Sequence, residues 1–156
     1  MNVPYSNNDL ESILSGVLNC KTLKIYESDK FDKHYNINEF IKDENNFFVI
    51  YHGPPDKVGH WCCLLLHDNT TVEYFDSFGS KSSYKPTKIK RFFKKHGFNF
   101  IENKKQLQSI DSNFCGKYVI LRIMSRHVDL STFLMLFQNK KLKPDDIVNS
   151  LIAIEF

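Results

Sequence analysis

His60-Trp61-Cys62-Cys63-Leu64-Leu65-Leu66-His67-Asp68-Asn69-Thr70-Thr71-Val72-Glu73-Tyr74-Phe75-Asp76-Ser77-Phe78-Gly79 reads as two strands joined by a turn. Asp68-Asn69-Thr70 carries turn chemistry, and both flanks are apolar and rich in strand formers. With those three residues as the loop, His67 pairs with Thr71, Cys62 faces Asp76 and His60 faces Phe78. His60 and Asp76 are then diagonal neighbours on one face, roughly 7–8 Å apart at the backbone, a gap two side chains can close. A one-residue slip would put them on opposite faces. The same parity sends Glu73 to the other face.

Working outward, Phe47-Phe48-Val49-Ile50-Tyr51 is a third strand, broken by Gly53-Pro54-Pro55-Asp56. Asn7-Asn8-Asp9 reads as a cap before Leu10, Ile13, Leu14, Val17 and Leu18 at helical spacing. Residues 20 to 46 read as loop with a short strand or turn. An amphipathic helix is expected over Thr87 to His96, ended by Gly97, with Ile89, Phe92 and Phe93 inward and the lysines outward. Phe98 to Ile101 is a further strand. Cys115 to His127 is apolar nearly all round, as a buried helix is. Helices near Leu130 to Asn139 and Pro144 to Ile154 complete the chain. The pattern predicts one domain over residues 1–156 of class α+β: a mixed, largely antiparallel central sheet flanked by helices, with Cys115 at the N-terminus of the buried one.

Composition agrees with a folded domain, at 42% hydrophobic, 14% aromatic and 25% charged residues. No apolar stretch is long enough to span a bilayer. The first residues, Met1-Asn2-Val3-Pro4-Tyr5-Ser6, lack a basic region followed by an apolar block, so a non-secreted protein in a reducing interior is expected. Of Cys20, Cys62, Cys63 and Cys115, two are adjacent and none forms a C-x-x-C pair. Three read as core thiols, leaving Cys115 for chemistry. The net charge of +3 is uneven: nine Lys/Arg and the single acid Glu102 lie between Lys81 and Lys105, which leaves the remainder at −5. Lys85, Lys88, Arg91, Lys94 and Lys95 are candidate nucleic-acid contacts on this stretch, or simply its solvated face.

Four residues in the order His60, Asp76, Gln108, Cys115 supply a base, an acid to orient it, an amide donor and a thiol, the parts of a cysteine-nucleophile acyl-transfer site. Ser112 or Asn113 is expected to cap the helix that follows, placing the Cys115 thiol in its first turn, where the helix dipole favours a thiolate. Gln108, seven residues earlier, is positioned to donate to an oxyanion together with the Cys115 backbone N–H. Gly59, Trp61 and Gly116 are candidate substrate contacts: the glycines for close backbone approach, Trp61 as a cleft wall. No metal ligand set is expected.

His60-Trp61, Asp76-Ser77-Phe78-Gly79, Gln108 and Cys115-Gly116 together resemble the adenovirus-type maturation proteases, the adenain family, in the ubiquitin-like-protein protease clan. The likeness runs from near residue 8 to residue 127. It includes the seven-residue Gln-to-Cys spacing and, before the cysteine, Phe114 where SUMO-type deconjugases carry Asp. The chain is shorter than adenain, and its acid is Asp rather than Glu. The resemblance implies a papain-like site in permuted order, with His60 as base, Asp76 as orienter, Gln108 in the oxyanion hole and Cys115 as nucleophile. It implies an endopeptidase of a DNA virus, virophage or Maverick-type element that cuts capsid or core precursors after glycine during virion maturation. It further implies a monomer in the virion and the infected cell (factory or nucleus), with no membrane contact. No cofactor would be required for the chemistry, and double-stranded DNA or a viral peptide would be possible activators. The alternatives are a SUMO-type deconjugase, a His-Asp-Cys acetyltransferase and a nucleic-acid-binding protein.

Overall fold

A computed structural model of the chain describes residues 6–18, 23–54 and 59–153. The hairpin is its centre. Strand β3 (His60–Leu66) pairs antiparallel with β4 (Thr71–Phe75), Cys63 opposite Phe75 and Leu66 opposite Val72, which is the register the three-residue loop demands. His67 N–H donates to the Thr71 carbonyl at 3.1 Å, and the Asp68 carboxylate accepts from the Thr70 N–H and hydroxyl, both at 2.7 Å. Strand β4 stops three residues short of the expected Phe78. Asp76 turns its backbone to Asn103 instead: its N–H donates to Asn103 Oδ1 (3.0 Å) and its carbonyl accepts from Asn103 Nδ2 (2.6 Å).

Three more strands complete a mixed sheet of order β1-β2-β3-β4-β5: β1 (Ile25–Glu27), β2 (Phe47–His52) and β5 (Asn99–Glu102). The inner pairings are antiparallel; the outer two, β1 with β2 and β4 with β5, are parallel. Parallel neighbours need a crossover. One passes through α2 (Ile37–Ile41), the other through α3 (Thr87–Lys95). Helix α2 lies where a loop, strand or turn was expected. Five residues with only Phe40 buried offer no periodicity to read; the Asn36 side chain caps it, accepting from Asn38 N–H at 2.9 Å.

Alternation along the strands builds two cores. Phe48, Ile50, Cys62, Leu64, Val72 and Tyr74 face α2 and α3 and meet Phe31, Phe40, Phe92 and Phe93 in an aromatic cluster with ring separations such as 4.9 Å for Phe40–Phe48. Phe47, Val49, Trp61, Cys63, Leu65 and Phe75 face the other way. They are covered by residues of α1 (Asn7–Leu18), α4 (Cys115–Met124), α5 (Leu130–Met135) and α6 (Pro144–Leu151). Glu73 shares this second face and is fully buried; Arg122 of α4 clasps it through Nε and Nη2, both at 2.8 Å, and His67 Nε2 lies 2.9 Å from its Oε1. A buried charge needs such a partner. The clasp ties α4 to β4.

Helix ends differ from their expected places for local reasons. Of the expected cap Asn7-Asn8-Asp9, Asp9 takes part, with Ser6 one residue further out as its partner: the Ser6 hydroxyl accepts from Asp9 N–H (3.2 Å), and the Asp9 carboxylate accepts from Ser6 N–H (2.7 Å), a reciprocal box. Helix α4 ends at Met124 instead of His127, where Ser125 Oγ folds back to the Leu121 carbonyl and Arg122 draws in the carbonyls of Ser125 and Val128. Helices α5 and α6 are also shorter than expected. The Val17 and Leu18 side chains, Cys20 and Pro55-Asp56 lie outside the described residues. No helix among the described residues is long and apolar enough to cross a membrane.

Candidate active site

The register brings His60 and Asp76 together at one end of the sheet. His60 Nε2 lies 2.7 Å from Asp76 Oδ1, and both residues are buried, at 2% and 3% exposure. A carboxylate only accepts, so Nε2 carries the proton in this bond and Nδ1 is the nitrogen left for a thiol. Cys115, at the first position of α4, lies close enough to the imidazole to favour its charged form. Phe78, opposite His60 in the extended register, stacks on its ring at 4.7 Å and 22°, and Tyr84 stacks at 5.1 Å and 18°. Two near-parallel rings fix the plane of the imidazole; its edges meet Asp76 and the thiols.

Electrostatics follow from this enclosure. Burial works against a charged His60, but the neighbouring Cys62 sulfur, the bond His60 makes to Asp76 and the closeness of Cys115 outweigh it, and the pKa stands well above the ordinary histidine value. Burial likewise works against the Asp76 carboxylate, yet its bond to His60 and the charge there hold its pKa below the usual range. The two therefore favour an ion pair. His52, paired with His60 across β2 and β3, goes the other way. Burial and the neighbouring His60 charge push its pKa down to about 4, so it is neutral at physiological pH.

Gln108 is 1% exposed and held at both ends: its Oε1 accepts from Ser77 Oγ (2.6 Å), and its Nε2 donates to the Ser112 carbonyl (2.8 Å). That fixes the amide with its nitrogen toward the segment leading to Cys115, and Nε2 has a second hydrogen to offer. The Ser77 carbonyl also accepts the backbone N–H groups of Leu107 (2.8 Å) and Gln108 (2.9 Å). The Asp76-Ser77 turn thus fastens the Gln108 segment, and Asn103 fastens the turn.

Several expectations change here. The N-cap position of α4 is Phe114, which makes no side-chain cap bond, and the Ser112 hydroxyl donates instead to the Ser109 carbonyl (3.2 Å). Cys62 is not merely a core thiol. Its sulfur lies within 4.8 Å of a His60 ring nitrogen and accepts from Tyr74 Oη at 3.2 Å, and Tyr74 in turn bonds His52 Nε2 at 2.7 Å. Strand parity could have located it: residues 60 and 62 share a face. Cys62 is nonetheless unsuited as a nucleophile, being fully buried, with burial and then the Asp76 charge raising its thiol pKa to about 12. Cys63 lies on the opposite face from Cys62 and is a core residue.

The substrate candidates divide. Gly116 is buried in the first turn of α4. Trp61 points to the face opposite His60 and packs in the core, its ring 5.0 Å from Tyr51. Gly59 is glycine for a reason internal to the fold: a Cβ there would stand 2.0 Å from the His52 carbonyl oxygen and 2.6 Å from the Tyr51 ring. Of the basic set, Lys85, Arg91, Lys94 and Lys95 are exposed, whereas Lys88 reaches Asp32 (3.7 Å) and the Asp29 carbonyl (3.3 Å).

No family model matches the chain. Protein V9 of the Sputnik virophage, itself uncharacterized, is similar at 25% identity, over 60% of this chain and 65% of that protein. Among solved structures, the ASFV pS273R protease superposes with a TM-score of 0.52 at 17% identity, over 89% of this chain and 61% of that one. AvrA, in a structure with IP6 and CoA, superposes with a TM-score of 0.51 at 15% identity, over 98% of this chain and 60% of that one. The chain thus spans less than two-thirds of each of these proteins. It has a mixed α+β fold of the kind found in the ASFV pS273R protease.

Proposed function

We propose that the protein is a cysteine endopeptidase. The observation that carries this reading is the buried His60–Asp76 pair, with Cys115 at the first position of α4 and the Gln108 amide fixed between Ser77 and the Ser112 carbonyl in the segment leading to it. Transfer of the Cys115 proton to His60 Nδ1 produces the charged imidazole that Asp76 stabilises, and the sulfur attacks the scissile carbonyl. The second hydrogen of Gln108 Nε2 and the Cys115 backbone N–H stabilise the oxyanion. Protonated His60, steadied by Asp76, then gives its proton to the leaving amine. Water, deprotonated by His60, hydrolyses the thioester and frees the thiol.

The finer reading is an adenain-like maturation protease cutting capsid or core precursors after glycine. The motif order and the virophage relative support it. The exposed basic face of α3 is the place for an activating nucleic acid. The test is labelling with a glycine-ended peptide vinyl sulfone and mass spectrometry of the adduct. Rapid modification at Cys115, lost in His60→Ala, is expected. Equal labelling of Cys62 and Cys63, or none with DNA and viral peptides present, would count against the assignment. The likeness to AvrA favours a second reading, acyl transfer from a CoA thioester. Acetyl-CoA labelling of Cys115 without peptide hydrolysis would select it.

A further inference from the structure

One buried atom beside the proposed catalytic pair lacks a partner. Asp76 Oδ1 accepts from His60 and from the Phe78 N–H (2.8 Å), but Oδ2 is the single buried side-chain N or O atom among the described residues with no hydrogen bond. Ser82 lies close enough to favour the Asp76 charge, yet Oδ2 itself receives no donor. An orphaned carboxylate oxygen in a native interior calls for an explanation, and a bound cation is one. Around it, one donor atom each of His60, Cys62 and Asp76 lies within 4.8 Å of the others, all three residues being buried. A cavity of about 40 Å³, lined by Tyr74, Asp76, Ser80, Tyr84 and Asn103, reaches Asp76 from outside.

We propose that His60, Cys62 and Asp76 form a binding site for a zinc-class divalent cation, seated between the imidazole and the carboxylate with Cys62 as its sulfur ligand. The mixed nitrogen, sulfur and oxygen donor set suits a borderline-soft ion and disfavours magnesium or calcium. Bond lengths of about 2.0–2.3 Å at tetrahedral angles require donors roughly 3.3–3.6 Å apart. The Asp76 carboxylate must therefore turn out of its 2.7 Å bond to His60 Nε2 so that Oδ2, the oxygen without a donor, takes the cation, and Cys62 must close by about 1.2 Å at most. Water takes the fourth position. Binding replaces the proton shared by His60 and Asp76 and displaces that of the Cys62 thiol; both leave to solvent. Tyr74 Oη, donating to the Cys62 sulfur and anchored by His52, supplies the outer hydrogen bond that steadies such a ligand. A cation there separates Asp76 from His60, so occupation opposes the peptidase chemistry; that corollary alone rests on the proposed function.

The test needs no substrate. Chelator-stripped protein is titrated with cobalt(II), then with zinc against a chromogenic chelator. One cobalt per chain is expected, with tetrahedral ligand-field bands and a thiolate-to-cobalt band. Cys62→Ser should abolish the thiolate band and weaken zinc at least tenfold, Cys115→Ser should leave the band in place, and Tyr74→Phe should weaken zinc by roughly 10- to 100-fold. In the unmodified chain, zinc should also shield Cys62 from thiol reagents on partial unfolding, which covers the case of a variant that does not fold. The proposal is overturned if the wild-type cobalt complex lacks a thiolate band, or if that band survives Cys62→Ser and disappears in Cys115→Ser. It is equally overturned if zinc does not shield Cys62.

Discussion

Removing Arg122 while leaving Glu73 in place should be the most damaging single core change away from the candidate site. In Arg122→Met, a fully buried carboxylate loses two charge-assisted bonds of 2.8 Å and retains only His67 among its side-chain partners. Breaking one half of a buried ion pair costs about 3–5 kcal/mol. Domain stabilities are about 5–15 kcal/mol, so about a fifth or more of the total is at stake. For a chain of this size the melting temperature should fall by roughly 6–20 °C. Glu73→Gln/Arg122→Met, with the charges gone from both sides, should recover most of the loss, since paired replacement of buried ions is often neutral or stabilising. Urea unfolding followed by circular dichroism gives all four corners of the double-mutant cycle. A loss below about 1 kcal/mol in Arg122→Met, or a coupling energy near zero, would refute the view that this clasp secures α4 on β4.

Other outcomes follow from the same geometry. Cys115→Ala and His60→Ala should each abolish peptide turnover and leave the circular dichroism spectrum unchanged. Gln108→Ala should lower kcat by roughly 100- to 1,000-fold, while Ser77→Ala, which frees the amide to reorient at a cost of about 1 kcal/mol, should lower it roughly fivefold. His52 has a folded pKa of about 4 against an ordinary 6.5, so the unfolded chain takes up the proton first. Its contribution to stability is full above pH 6.5 and is lost as pH falls toward 4, and denaturation curves for His52→Gln should be flatter over that window. His60, with its pKa raised, acts in the opposite sense: its contribution is present below the ordinary histidine value and is lost at alkaline pH. Gly59→Ala should destabilise strongly because a methyl would collide with the His52 carbonyl oxygen; unchanged thermal unfolding would refute that.

The hairpin was legible because its loop chemistry and strand parity constrain each other. Asp68-Asn69-Thr70 and the alternating residues beyond admit one register, and that register aligns His60 with Asp76. Helix α3 was equally plain, since Ile89, Phe92 and Phe93 mark one face. What stayed hidden depended on partners distant in sequence. Nothing near Asp76 announces Asn103, and nothing near Tyr84 announces His60. Cys62 was misread because a buried apolar strand looks the same whether its end is a core or a site. Helix α2 is too short to carry a period, and the Ser112 hydroxyl is engaged in the turn preceding α4.

The stacking around His60 has a spectroscopic consequence. Six histidines share the chain, and among the described residues His60 alone is flanked by two near-parallel aromatic rings, at 22° and 18°. Protons above an aromatic face feel its diamagnetic ring current, so the carbon-bound protons of this imidazole should resonate upfield of the other five. One line in a proton spectrum would then report on the innermost group of the site without an isotope label or a substitution. Its displacement would register a bound peptide, a metal ion or a loosened Tyr84 as a change in frequency.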